Sequence, residues 1–403
     1  MPNAGMRVSN TGAIGVYLVR GSSQSIRSGQ TGGATYYPLG TCDTFPKLAT
    51  GTPLAPVVTD LFGSTPFDHY HGGMVGSIGM NLNRFSWTNL LALVQGDMTA
   101  ISVATSAAAE AGTGFFTVGK HGLRIGRNDT TACGLLFLYS GAAASRPAGE
   151  STDVANQLIG RVYHSVGLRA LNITSMGTRV FSVSLDLVPA QGIINSRIEM
   201  FRELTAAPAG PSFAADFSPL DPIHTGPIGV YGINYDLNNN TTAYDSIGHC
   251  ANFPAVSIER DLEPVVNDLF GDAPFDYTLG GQSASVEMDF SRMDQFNLDK
   301  SIRGNYTNAK GSVSLTGAVG NLAGTFGSGL RLWWPSGTPG ANAHLTFPAG
   351  HMEGDIVTQS GTRAYKNAVM FKASSKPNVG ATTLVQFGFE GLGSATLADF
   401  SAT

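Results

Sequence analysis

His69-Tyr-His71 sets two imidazoles two residues apart, which puts both on one face of a strand, the geometry of a metal-ligand pair. No nearby cysteine or carboxylate pair completes four ligands, so the plainer reading is a surface turn. Gly114-Phe-Phe-Thr-Val-Gly-Lys120 has the spacing of a phosphate-cradling loop, but His121 stands where a hydroxyl must meet Mg²⁺. A hairpin loop explains it as well. Asp236-Leu-Asn-Asn-Asn240 imitates the start of a calcium loop, with Thr241 in place of the sixth-position glycine and Ile247 in place of the twelfth-position glutamate. Ser77, in Val75-Gly-Ser-Ile-Gly79, has Val75 where a nucleophile elbow needs its first glycine, and the surrounding residues read as a strand. Asp60, Asp68, Asp268 and Asp276 have the makings of paired acid–base carboxylates. Each borders a turn residue or a short apolar run, where a helix cap or Asx-turn needs the same side chain.

Two of those aspartates duplicate the other two. Leu54-Ala-Pro-Val-Val-Thr-Asp-Leu-Phe-Gly-Ser-Thr-Pro-Phe-Asp68 returns as Leu262-Glu-Pro-Val-Val-Asn-Asp-Leu-Phe-Gly-Asp-Ala-Pro-Phe-Asp276, and 13 of 20 positions agree between 54–73 and 262–281. Upstream, Ile14-Gly-Val-Tyr17 returns as Ile228-Gly-Val-Tyr231, and Tyr36, Gly40, Cys42, Phe45 and Pro46 return as Tyr244, Gly248, Cys250, Phe253 and Pro254. Downstream, Leu136-Phe-Leu-Tyr-Ser-Gly141 is aligned with Leu332-Trp-Trp-Pro-Ser-Gly337, Arg161-Val-Tyr163 with Arg363-Ala-Tyr365, and Val183–Leu187 with Val385–Phe389. The expectation is a tandem duplication: a first β-rich domain over 1–207 and a second over 208–403, joined at the Pro- and Gly-containing stretch Ala206–Pro211.

Within each copy the dominant period is two. Ala284, Val286, Met288 and Phe290 alternate with Ser285, Glu287 and Asp289, and Val183, Leu185 and Leu187 with Ser182, Ser184 and Asp186, as in strands with one buried face. One amphipathic helix per copy is expected after the alternating strand. Trp87, Leu90, Leu91 and Val94 share a helical face, and Ser291-Arg-Met-Asp294 has capping-box spacing. The fold expected is mainly β, each domain a sandwich or barrel with one helix. In such strands Trp333 and Trp334, with Phe137 and Tyr139 opposite, read first as packing and second as a stacking platform. Cys42 and Cys250, at equivalent sites, read as buried small hydrophobes.

The composition is low in charge. Of 403 residues 13% are charged, where about 25% is usual, and 51 are glycine, yet 42% are hydrophobic, enough for a core. The net charge of -5 divides as 14 basic and 11 acidic residues in 1–207 (net +3) and 10 and 18 in 208–403 (net -8). No basic run suits a grip on phosphates, no apolar stretch has the length of a membrane-spanning helix, the N-terminus lacks a leader pattern, and three scattered cysteines are no disulfide framework. No catalytic, cofactor-binding or metal-ligating residue is expected, and no enzyme. Few charges suit a surface that meets copies of itself, because burying an unpaired charge is costly.

The block Leu-x-Pro-Val-Val-x-Asp-Leu-Phe-Gly-x-x-Pro-Phe-Asp, with the later Leu136 and Leu332 strands and the Arg-x-Tyr segments, resembles virion structural proteins of tailed bacteriophages. A two-domain β-rich subunit is most similar to the tail tube proteins of long-tailed phages. The resemblance implies a self-assembling homotrimer whose three chains make a pseudo-hexameric ring, stacked into a conduit through which DNA passes without specific grip. It implies other virion proteins as partners, no membrane, and a place in the virion after assembly in the host cytoplasm. The acidic second copy fits a lumen that repels DNA, and the positive first copy fits it only with its basic residues outward. The loop Gly21–Thr35, six residues longer than its counterpart, is the candidate contact between rings. The alternatives are a capsid or decoration protein, or a glycan-binding module using Trp333, Trp334 and the Asn-rich loop.

Overall fold

A side chain that alternates between apolar and polar can bury one set only in an extended chain, and the computed structural model places these segments in antiparallel sheets. It describes residues 13–20, 35–86 apart from 43, 89–90, 93, 114–117, 133–139, 160–204 apart from 178, 179, 195 and 196, 211, 216–217, 228–236, 241–267 apart from 251, 271–298 apart from 295 and 296, 328–335, 341–353 apart from 348 and 349, 358–359, 365–374 and 383–391. The protein is mainly β. The strands of the first half are β1 (Ile14–Arg20), β2 (Thr35–Cys42), β3 (Lys47–Gly51), β4 (Leu54–Val57), β5 (Asp68–His71), β6 (Val75–Leu82), β7 (Arg84–Phe85), β8 (Gly114–Thr117), β9 (Cys133–Tyr139), β10 (Gly160–Tyr163), β11 (Val166–Gly177), β12 (Val180–Pro189), β13 (Gly192–Ile194), β14 (Arg197–Glu199) and β15 (Phe201–Leu204). Those of the second are β16 (Ile228–Asp236), β17 (Thr241–Cys250), β18 (Ala255–Asn267), β19 (Gly271–Met293), β20 (Ser328–Pro335), β21 (Ala341–Phe347), β22 (Gly350–Glu353), β23 (Thr358–Gln359), β24 (Tyr365–Ala373) and β25 (Thr383–Gly391).

In the first half the sheet β15-β10-β9-β1-β2-β7 faces the run β3-β6-β12-β11. Val16, Leu18, Leu135 and Phe137 from one layer meet Ile78, Leu82, Val183 and Leu185 from the other in a common core. In the second half β25-β21-β20-β16-β17 faces β18-β19-β24, with β22 beside β24, and Val230, Leu332 and Leu345 join Val286, Met288 and Phe371 in that same core. The predicted alternation of 284–290 holds, since Ala284, Val286, Met288 and Phe290 are all buried.

The two halves share one pairing scheme, residue for residue. Ile14 pairs with Cys42 and Ile228 with Cys250, each ladder with a register shift two residues on, between Val16 and Tyr17 or between Val230 and Tyr231. Lys47 pairs with Gly79 and Ala255 with Glu287, both members displaced by 208, and Leu54–His71 is matched by Leu262–Leu279 at the same displacement. Downstream, the pairing corrects the sequence alignment. Tyr17 pairs with Leu136 and Tyr231 with Arg331, so Phe137 answers Leu332 and the motif alignment is one residue out of register. Leu82 pairs with Val183 and Phe290 with Asn367, which makes β24, and not β25, the counterpart of β12 at a displacement of 184. By the same displacement β10 answers β21, so Tyr163 corresponds to Phe347 rather than Tyr365, and β15 answers β25.

The corner between the layers is also built twice. A Cβ on Gly40 would lie 2.2 Å from the Arg84 carbonyl oxygen, and one on Gly248 2.2 Å from that of Arg292. Only glycine admits that crossing. A helical turn follows each corner. Asn89 and Leu90, like Asn297 and Leu298, are helical, with Leu90 N–H donating to the Ser86 carbonyl and Leu298 N–H to that of Asp294, each at 2.9 Å. The cap in the second half is Asp294, whose carboxylate accepts from Asn297 N–H at 3.1 Å, and Ser291 lies in β19 instead. Ser86 does the same for Asn89 at 3.4 Å. Leu90 is buried as expected and Leu93 joins it, whereas Trp87, Leu91 and Val94 lie outside the described residues. Asn89 and Asn297 lock the turns by donating to the Pro38 and Ser246 carbonyls at 2.7 and 2.6 Å.

Among the described residues two ladders and one docked hairpin connect the halves, the shorter ladder being β8 on β25. Ala170–Ile173 of β11 pair with Val256–Glu259 of β18, braced by Ser257 Oγ donating to Asn172 Oδ1 at 2.7 Å. The hairpin arm made by the end of β18 and the start of β19 lays Tyr277 and Leu262 against Val188 and Ala190, and Gln191 N–H donates to the Pro274 carbonyl at 3.3 Å.

Candidate functional site

The residues singled out for chemistry are dispersed, and most are tied into local structure. His69 and His71 both stand on β5, fully outside the core, and no group of three or more His, Cys, Asp or Glu able to hold a metal occurs among the described residues. Asp68 Oδ1 accepts from His69 N–H at 2.7 Å and Asp276 Oδ1 from Tyr277 N–H at 2.8 Å, so each carboxylate is tied to the backbone of the next residue in its strand. Asp60 begins the turn at the tip of the first arm, and Asp268 lies outside the described residues. Gly114–Thr117 is strand β8, paired with β25, while 118–121 lie outside them, as do 237–240. Ser77 is within β6, where a Cβ on neighbouring Gly76 would meet Met200 Sδ and Pro189 Cγ at 2.9 Å. Gly21–Ala34 of the long loop lies outside the described residues and Thr35 opens β2.

Trp333 and Trp334 point to opposite faces of β20. Trp334 packs edge-on to Phe253 at 5.2 Å in the central core, and Trp333 is 1% exposed on the other face. Neither offers a ring to a sugar. Cys42 and Cys250 are buried and form no disulfide, and burial pushes the Cys250 thiol up to about 12, far from a reactive thiolate.

Where the halves differ is outside the shared core. The outer face of β9-β1 is apolar, and Tyr17, Leu136, Leu138 and Val162 are capped by Phe217, with Tyr17 Oη donating to Asp216 Oδ2 at 3.0 Å. Asp216 and Phe217 thus pack on the first half although they follow the expected boundary at 207. On the second half the counterpart face is polar and still buried. Arg331 replaces Leu136, donates to Thr346 Oγ1 at 3.0 Å and lies over the Tyr244 ring at 4.3 Å, while His344 Nδ1 is 3.0 Å from the same hydroxyl. Alternating positions on one strand are free to diverge on one face while the other keeps the core, and that freedom is visible here.

The surface that stands out lies at the end of the first half. β3 closes the sheet, with β6 as its one strand partner among the described residues. Beside it the arm β4–β5 projects with Leu54, Phe67 and Tyr70 in solvent, and its tip carries Val58, Phe62 and Leu61, the last 85% exposed. An open edge next to exposed apolar side chains is a surface suited to pairing with another chain. Sequence reasoning found the arm as a repeat but not as a surface, since a repeated motif is equally well a core motif. No helix among the described residues is long and apolar enough to cross a membrane. A scan against protein-family models finds no match, and a search of curated proteins finds none.

Proposed function

We propose that this chain is a structural subunit that assembles with copies of itself, most specifically a tail tube subunit of a tailed bacteriophage virion, three chains forming a pseudo-hexameric ring and rings stacking into a DNA conduit. The observation that carries it is the doubled pairing scheme: two β-rich halves with matching strand registers, of which the first presents the β3 edge and the apolar β4–β5 arm. The low charge supports self-contact, and the apolar arm tips, Leu61 and Phe62 on the first and Val266 on the second, suit contacts between rings. The net -8 of the second half suits a wall that DNA slides past.

A capsid or decoration protein is the second reading, favoured by the same open edge. The buried Trp333 and Trp334 disfavour a glycan module. Negative-stain microscopy of the purified protein tests the proposal. Tubes or discs with a central hole, built from units of about 126 kDa for three 42.0 kDa chains, are the expected result. Closed shells would support the second reading instead, and a monodisperse monomer would overturn both.

A further inference from the structure

The β11–β18 interface between the two halves of one chain has an open counterpart at the other edge of that run, at β3. β18 is flanked by β19 on one edge and by β11 on the other, whereas β3, its counterpart by the displacement of 208, is flanked by β6 alone among the described residues. The arms show the same imbalance. Asp276 and Tyr277 are buried, Leu262 packs beside Tyr277, and Phe275 is partly covered. Their counterparts Asp68, His69, Leu54 and Phe67 are all exposed. Leu54, Phe67 and Asp68 are nevertheless the same residues as their covered twins, and a solvated hairpin gains no stability from an exposed Leu and Phe.

We propose that the β4–β5 arm of one chain, with the β3 edge beside it, docks on the β22–β24 side of the second half of another copy, as the β18–β19 arm docks on Val188 and Ala190 within one. This deepens the reading of a self-assembling subunit by naming the surfaces that meet. The displacement of 184 supplies the partner residues. Glu353 takes the place of Arg169, and Lys372 that of Val188. Within the chain, Tyr277 lies near enough to Arg169 to feel its charge. Between chains the corresponding neighbours are His69 and Glu353, an imidazole and a carboxylate that already pairs with Lys372. The whole halves are complementary too, net +3 meeting net -8. Edge and arm belong to the first half and their receptor to the second, so the contact is head-to-tail and propagates until it closes.

Two measurements on the full chain test this. With a benzophenone amino acid in place of Phe67, irradiation should join chains, and the joined peptides should come from residues 350–374 of the second chain. Joining only to first-half peptides would overturn the proposal. Alternate N–H groups of a strand point to opposite edges, so Ala49→Pro and Thr50→Pro should differ. One removes a bond to β6 and lowers the melting temperature. The other keeps the wild-type melting temperature but sediments as a 42.0 kDa monomer. Wild-type assembly by both variants would overturn the interface and leave the tube reading standing. Assembly that depends on β3 but gives neither rings nor tubes would overturn the tube reading and support the interface.

Discussion

Gly40 and Gly248 show how a single residue carries the fold. Both let a strand pass against the carbonyl of Arg84 or Arg292 at a distance no Cβ tolerates. Gly40→Ala and Gly248→Ala should therefore each lower unfolding free energy by about 1–3 kcal/mol or more, and by similar amounts, measured by guanidinium titration. Cys250 makes a different prediction. Its thiol is held neutral in the fold, at about 12 against an ordinary 9.0. The unfolded chain loses the proton first, so the stabilisation is whole below pH 9 and declines as pH rises toward 12. Guanidinium titrations at rising alkaline pH should show this decline, flattened in Cys250→Ala. Cys42 and Cys250 should also resist alkylation until the chain is unfolded, as peptide mapping of the labelled protein would show.

The helical turns and strands are legible in the sequence to different depths. The alternation at 284–290 identified a strand and its buried face because a half-buried sheet imposes a period of two. The cap was misplaced because Ser291 and Asp294 are both good N-caps, and only the corner at Gly248, which extends β19 through Met293, decides for Asp294. Asp294→Ala should cost about 1 kcal/mol in thermal or denaturant unfolding, as such cap losses do. Ser86→Ala should cost less, its bond being the longer one. The downstream alignment went wrong for a physical reason. A one-residue slip exchanges the faces of a strand, and on β9 and β20 both faces are buried, so apolar content alone does not reveal it. The pairing partners do, and they bring Leu136 opposite Arg331, a pair no motif search would align.

On the scale of the whole molecule, the sequence disclosed the repeat but not that its two copies live in different surroundings. Among the described residues Asp68, Asp276 and Ser77 serve strands and Trp333 and Trp334 the core, whereas the open edge and arm required the sheet order. Leu54→Ser and Phe67→Ser should leave unfolding free energy within about 0.5 kcal/mol of wild type, because both side chains are already in solvent. The same variants should shift the assembly equilibrium toward the 42.0 kDa monomer in sedimentation velocity.

The double glycine at the root of each arm separates the two copies in one more respect. Gly280-Gly281 lies inside a continuous ribbon, with Gly281 paired to Asp261, whereas Gly72-Gly73 falls between β5 and β6 and Gly73 turns through a φ of 101°. Identical residues thus continue a ladder in one place and turn the chain in the other, where a turn can serve as a pivot. In a head-to-tail assembly every second joint would hold the pivot, so bending strain would gather at the contacts between chains and spare those within them. An assembly made this way would yield at its seams while each subunit keeps its shape.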